Sequence, residues 1–199
     1  EYYLATGVLN NGTPSLLLFE DNNQRAMITF LVRDIAHESK FNGSLPQGRF
    51  FDISSIYGYG GMISDSDFYP VSEYFDYCRN QGFITEFVRF NLFSNYKDAY
   101  LGKVESHSNN VVVDLTQPLE SIVASYDRKV RKNINTAIRN DLIAIEDSDF
   151  QFINEFLRIY YSTMGRNSAS NNFYFPREYF ETISQMERRN ATLFHVMKE

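Results

Sequence analysis

The sequence predicts a mixed fold, α+β or α/β, on three observations. Its first third is a series of apolar and alternating runs broken by Asn- and Gly-rich turns, the pattern of antiparallel strands. From residue 116 onward apolar residues recur at three- and four-residue spacing, the pattern of amphipathic helices. Strand-like runs then return between those helices, so the elements are mixed in both orders and neither an all-β nor an all-α chain fits.

Taken in order, "EYYLATGVL", "SLLLFED" and "RAMITFLVRDI" read as strands of a meander, separated by turns at Asn10-Asn11-Gly12 and Asp21-Asn22-Asn23. A polar loop spans Gly43 to Gly48, and "RFFDISSIY" resumes extended structure. It leads into Tyr57-Gly58-Tyr59-Gly60-Gly61, three glycines and two tyrosines in five positions. "VSEYFDYCRNQ" sets Tyr74, Phe75 and Cys78 on one helical face, with Gly82 as a stop. "FITEFVRFNLF" alternates as a strand, with Glu86 on its apolar face and Arg89 on the more polar one. "NVVVDL" reads as another strand.

The strongest helix signal follows. Thr116 offers a cap, Pro118 suits a first turn and Glu120 suits the positive helix end. Leu119, Ile122, Val123, Tyr126, Val130, Ile134, Ala137 and Ile138 then keep helical spacing as one long helix. "LIAIE" is a short strand. "DFQFINEFLRIYYSTMGRN" is a helix with Phe152, Phe156, Ile159 and Tyr160 as its inner stripe. "PREYFETISQMERRN" is a helix opening at Pro176, with Arg188-Arg189 serving its end, and "ATLFHVMKE" is a last strand. Two related lobes are expected, residues 1–115 and 116–199. An apolar run without an initiator Met at one end and a strand just begun at the other read as a piece of a longer protein.

Composition narrows the function classes. Hydrophobic residues make up 43% and charged residues 22% of 199, ordinary for a folded chain. The net charge of −6 excludes a generally basic nucleic-acid binder, so a basic site must be local. Cys78 stands alone, which excludes an internal disulfide and a cysteine zinc site. His37, His107 and His195 have no metal-ligand spacing, and no metal is expected. No run approaches the roughly 18 apolar residues of a membrane span. The expected location is cytoplasmic, with the inner membrane face as an alternative. The 14 tyrosines point to a cleft or interface, where one end of the ring is wet.

Three sites carry candidate chemistry, each with a structural reading beside it. Tyr57–Gly61 is either a turn with glycines at positive φ or a loop whose bare backbone approaches a ligand held by Tyr57 and Tyr59. Glu86 and Arg89 are either a cross-strand ion pair or a cleft pair in which Arg89 holds an acidic group. Arg128, Lys129, Arg131 and Lys132 are either a solvated helix face or a phosphate-binding patch. Arg166 either caps its helix or joins that patch. The functional version has the glycine loop and the basic helix lining opposite sides of one cleft. Cys78 reads as a small buried thiol.

The order of these stretches resembles the Fem-like acyltransferases, tandem relatives of the GNAT-type N-acetyltransferase fold. The resemblance rests on "YGYGG", "FITEFVRFNLFSN", "SYDRKVRKNINTAIRNDLIAIE", "YYSTMGRN" and "FYFPREYF". Within it the basic helix reads Arg128-Lys129-Val130-Arg131-Lys132, and the downstream pattern is Thr163-Met164-Gly165-Arg166. It implies a nearly complete first GNAT-type lobe and a second, truncated one. It also implies transfer of an acyl or aminoacyl group to an amino group of a cell-envelope or polysaccharide precursor. The donor would be acyl-CoA or an aminoacyl-tRNA, with no tightly bound cofactor. Tyr57, Tyr59 and Glu86 become weak candidates for proton transfer. Substrate binding would fall to Tyr57, Gly58, Tyr59, Gly60, Gly61, Arg89, Arg128, Arg131, Lys132 and Arg166. The acceptor would be a phosphorylated sugar or a peptidoglycan-type precursor. Two departures stand out: Asn91 occupies a position where nearer relatives are expected to carry His, and the last strand falls where the central strands of the second lobe begin. The piece itself is therefore expected to be inactive. A glycan- or partner-binding module with a degenerate transferase fold, and a small-molecule N-acetyltransferase, remain as alternatives.

Overall fold

The computed structural model describes residues 2–41, 43–107, 109–187 and 190–198, and has an α+β fold. The chain forms two compact units that are not contiguous in sequence. One comprises Glu1–Val104 and Met164–Met186, the other Glu105–Thr163 and Glu187–Glu199. The division expected at residues 115–116 therefore falls at 104–105, and residues 164–186 join the first unit.

The first unit is built on a five-stranded sheet. Strands β1 (Gly12–Asp21) and β2 (Gln24–Asp34) form a hairpin whose turn puts Asn22 and Asn23 at φ 46° and 68°. Asparagine tolerates this left-handed pair, and the resulting turn twist matches that of the strands. On the other side of β2 run β3 (Phe51–Ser54) and β4 (Gly61–Ser64), both antiparallel to it. Leu31 pairs with Ser54 and Thr29 with Gly61. Residues 55–60 therefore stand opposite the single residue Phe30: the glycine loop is an excursion from what is otherwise one continuous strand. Strand β5 is only Glu86–Phe87 and lies parallel to β3, so the long strand expected at 83–92 is extended backbone with a short ladder.

The core lies on one face of this sheet. Ala26, Ile28 and Phe30 alternate inward along β2 and meet Ile53, Met62, Val71, Tyr74 and Tyr96. Val71 and Tyr74 belong to α2 (Val71–Gln81), which ends at Gly82 in the left-handed conformation as the sequence predicts. Tyr96 lies on α3 (Tyr96–Ala99).

The first expected strand is instead α1, Tyr2–Asn10. Ala5 and Thr6 are fully buried, and a Cβ on Gly7 would lie 2.9 Å from the Gly12 carbonyl oxygen. These small residues let the helix lie close to β1, and it also packs on α7 (Arg177–Ser184). Packing on those partners overrides the β-propensity of the aromatic and aliphatic run.

In the second unit, the predicted long helix is two: α4 (Leu119–Ser125) and α5 (Arg128–Arg139). Tyr126 and Asp127 are extended, with ψ 144° and 146°, and the Ser125 hydroxyl donates to the Ile122 carbonyl. A serine that bonds to backbone offers the chain a stop where periodicity sees none, and Asp127 takes the N-cap position of α5 without a side-chain cap bond. Thr116 does not cap α4; its amide and hydroxyl both donate to Asp114. "NVVVDL" is not a strand: it joins none of the ladders among the described residues, and Val111 is 95% exposed. Strands β6 (Leu142–Asp147) and β7 (Leu193–Lys198) pair antiparallel, Leu142 opposite Lys198. Helix α6 (Ile153–Arg166), whose residues from Met164 onward belong to the first unit, buries Leu157, while Ile159, expected on the inner stripe, is exposed. Arg188 and Arg189 lie outside the described residues.

Candidate functional site

The loop Tyr57–Gly61 is shaped by what surrounds it. Gly58 and Gly61 have φ of 109° and 101°. A Cβ on Gly60 would come within 2.6 Å of the Ser55 Cβ, and one on Gly61 within 2.9 Å of a Tyr96 ring carbon. The loop is tied down by backbone bonds: Gly60 N–H donates to the Arg89 carbonyl at 2.7 Å and Asn91 N–H to the Gly60 carbonyl at 3.1 Å. The Ser55 hydroxyl oxygen accepts from Arg89 N–H at 3.0 Å. Gly60 thus lets the loop pack against Ser55, and Gly61 lets it pack against the Tyr96 ring. The tyrosines are another matter. Tyr57 is 41% exposed, and its ring meets Phe175 edge-on at 4.9 Å between centroids. Tyr59 is also exposed.

Tyr57 and Phe175 form one wall of a cavity of about 480 Å³ contained in the first unit. Its polar part comes from the end of β2 and the 3₁₀ turn Ile35–His37 that follows, which bring Arg33, Asp34, His37 and Glu38 together. Asn171, Asn172 and Tyr174 contribute from the segment before α7. Arg33 sits directly across from Asp52 in the β2–β3 register and grips it with two bonds, Nε–Oδ1 at 3.0 Å and Nη2–Oδ2 at 2.6 Å. Its Nη1 donates to Glu38 Oε1 at 3.2 Å. The fork to Asp52 holds the guanidinium pKa above its usual value. Asp34 accepts the amides of Gly48 at 2.6 Å and Ala36 at 3.0 Å, which hold its carboxyl below the ordinary range. The lining carries one guanidinium against the carboxylates of Asp34 and Glu38, so apart from His37 it is net negative and suits an ammonium group better than a phosphate.

Glu86 does not pair with Arg89. Its carboxylate accepts from the hydroxyls of Tyr74 and, at 2.7 Å, Tyr100, while Arg89 is exposed and forms no ion pair among the described residues. Burial raises the pKa of Glu86, and burial together with the carboxylate raises both phenols. On the same helix face Cys78 is half-buried and its thiol is pushed up to about 11, as an inert core thiol should be. The Tyr96 hydroxyl is buried beside this cluster without a hydrogen-bond partner among the described residues. Glu86 is thus part of a phenol-lined core cluster, with both oxygens engaged.

In the second unit, α5 presents Arg128, Arg131, Lys132, Asn135 and Arg139 along one open groove. Arg131 donates to the Ala124 carbonyl at 3.3 Å and Arg139 to the Asn135 carbonyl at 3.2 Å; neither meets a carboxylate. The glycine loop and α5 belong to different units, and each is described within its own. Arg166 lies exposed in the last turn of α6. Sequence reading missed a pair in this second unit: the His195 ring lies 3.1 Å from Asp147, which also accepts the amides of Gln151 and Phe152. Burial works against the Asp147 carboxylate, but those bonds outweigh it and hold its pKa below the ordinary value. The two residues are 48 apart in sequence, and only the β6–β7 register brings them together. The cavity residues Arg33 to Glu38 did leave a signal, a charged cluster closing an otherwise apolar strand. Among the described residues no group of three or more His, Cys, Asp or Glu could hold a metal. None of the described helices is long and apolar enough to cross a membrane.

Comparison with protein-family models, with curated proteins and with solved structures found no match.

Proposed function

We propose that the chain belongs to a Fem-like acyltransferase that transfers an acyl or aminoacyl group to an amino group of a cell-envelope or polysaccharide precursor. The single observation that carries this reading is the contact of Tyr57 with Phe175. It joins the YGYGG loop to the FYFP segment, two of the stretches on which the resemblance rests, in one polar cavity. The cavity's surplus of carboxylates favours an amine-bearing acceptor, and its exposed phenol and asparagines suit hydroxyl groups. The amine must attack a carbonyl as the leaving group departs, a step served by positioning and by hydrogen-bond donors toward the oxyanion. Glu86 is not the base in this proposal, because both its oxygens are occupied by phenols. Of the proton-transfer candidates named from the sequence, Tyr57 is the one that lines the cavity, where His37 stands with it.

A non-catalytic glycan-binding module is the second reading, and Asn91 favours it. Its side-chain oxygen accepts the Phe93 amide at 2.8 Å, making it a turn residue where a histidine was expected. Mass spectrometry of the full-length protein, with acyl-CoA or aminoacyl-tRNA and candidate amino sugars or muropeptides, separates the two. A transferred mass on the acceptor amine is expected. Saccharide binding that is lost in Tyr57→Ala, without transfer from any donor, would establish the binding module instead.

A further inference from the structure

The helix α5 carries Arg128, Lys129, Arg131, Lys132 and Arg139 in twelve residues, with no acidic residue among them, on a chain of net charge −6. None of the five is ion-paired among the described residues. At about 100° per residue Arg128, Lys132 and Arg139 share one face, Val130, Ile134 and Ala137 share the opposite one, and Ile138 lies at its flank beside Arg131. That apolar face is only partly covered: α5 packs on β6, yet Val130, Ile134 and Ile138 remain between 40% and 64% exposed and α5 has no buried residue. Leu119 and Val123 on α4 are exposed as well. An isolated helix of this length is marginal in water, so α5 gains from a partner that covers it.

The partner must satisfy both faces. A nucleic acid would neutralise the cations and leave the aliphatic stripe in water. A second copy of this chain would cover the stripe, but α5 brings no carboxylates to meet its own basic face. An anionic lipid surface meets both needs: acyl chains take the stripe while headgroup phosphates surround the cations, the arrangement of a helix lying in the membrane interface. We propose that α5 docks on anionic membrane surfaces, with Val130, Ile134 and Ile138 inserted and Arg128, Lys132 and Arg139 at headgroup level. This proposal stands independently of the acyltransferase reading.

The test is cosedimentation of the protein with phosphatidylcholine vesicles, with and without phosphatidylglycerol, at low and high salt. Binding is expected only to the anionic vesicles, weakening as salt rises. Replacing Arg128, Lys132 and Arg139 by Gln should weaken it about a hundredfold, from about fivefold per charge. Ile134→Ser with Ile138→Ser should weaken it as well, and circular dichroism of each variant checks that the helices persist. Absence of binding to anionic vesicles at low salt overturns the proposal. So does lipid binding that the Ser variant leaves intact, which would mark a purely electrostatic contact such as that with nucleic acid. Concentration-dependent dimerisation abolished by the Ser variant, without lipid binding, would assign the face to a second copy.

Discussion

Strands β2 and β6 read much alike, aliphatic runs bounded by charged residues, yet they end in different surroundings. Ile28, Phe30 and Leu31 of β2 are at most 2% exposed, whereas Leu142, Ile143 and Ile145 of β6 keep 37% to 40% of their surface. The difference lies in what covers them. Along β2, paired strands flank both edges, and α2 and α3 supply Val71, Tyr74 and Tyr96 to the sheet face. Strand β6 has β7 alone in its sheet. An apolar strand contributes to stability in proportion to the area a second layer removes from water, not to its own hydropathy. The two units also treat a buried carboxylate differently. Glu86 is surrounded by phenols and pushed up, whereas Asp147 receives two backbone amides and a histidine and is held down.

The sharpest way to break the comparison is to truncate both strands. Phe30→Ala should cost about 3–5 kcal/mol and Ile145→Ala about 1 kcal/mol, read from urea midpoints. Equal losses would mean that the second sheet is covered as well as the first. Next come two glycines of the loop. Gly61→Ala meets both a positive φ and the Tyr96 ring and should cost about 2–3 kcal/mol. Gly58→Ala meets only the φ and should cost about 1 kcal/mol, with thermal midpoints ranking the two.

The carboxylates give opposite pH signatures. Glu86 keeps its proton more tightly when folded than its ordinary value of 4.5, so its contribution is full below that value and declines as pH rises through the folded one. Glu86→Gln should remove this decline from a stability-versus-pH curve. Asp147 titrates below its ordinary 3.8 when folded, so its contribution is present above that value and is lost as pH falls through the folded one. Asp147→Asn should flatten the acid limb, and a variant curve that keeps the wild-type slope there would contradict the assignment. The smallest effect is expected at Val111→Thr, within about 0.5 kcal/mol, because the residue is almost fully in water.

Much of the fold was legible in residue pattern. The Asn22-Asn23 hairpin, the inward alternation of β2 and the Gly82 stop of α2 are each written in a few adjacent residues. Helix α1 was not, because "YYLATGVL" carries strand-forming residues and becomes a helix only against α7 and β1. The break at Tyr126-Asp127 was hidden because helical spacing runs straight through it. "NVVVDL" has strand composition but pairs with no strand among the described residues. Of the candidate site, Tyr57 was visible as an odd neighbour of glycines. Its partner Phe175 lies 118 residues away, and no local signal links them.

By itself the sequence determined the α+β class, the position of the glycine loop and the charge segregation of α5, since each follows from spacing and residue type within one element. The tertiary structure decided what those elements do to one another. It turned the glycine loop into a six-residue excursion opposite Phe30, gave Glu86 to the phenols of Tyr74 and Tyr100 rather than to Arg89, and brought His195 to Asp147. It also left β6 and the apolar side of α5 exposed. The physical reason is the same in each case. Burial, hydrogen-bond partners and pKa depend on atoms brought near by packing, and those atoms are set by register and layer contacts between distant segments, which local periodicity does not encode.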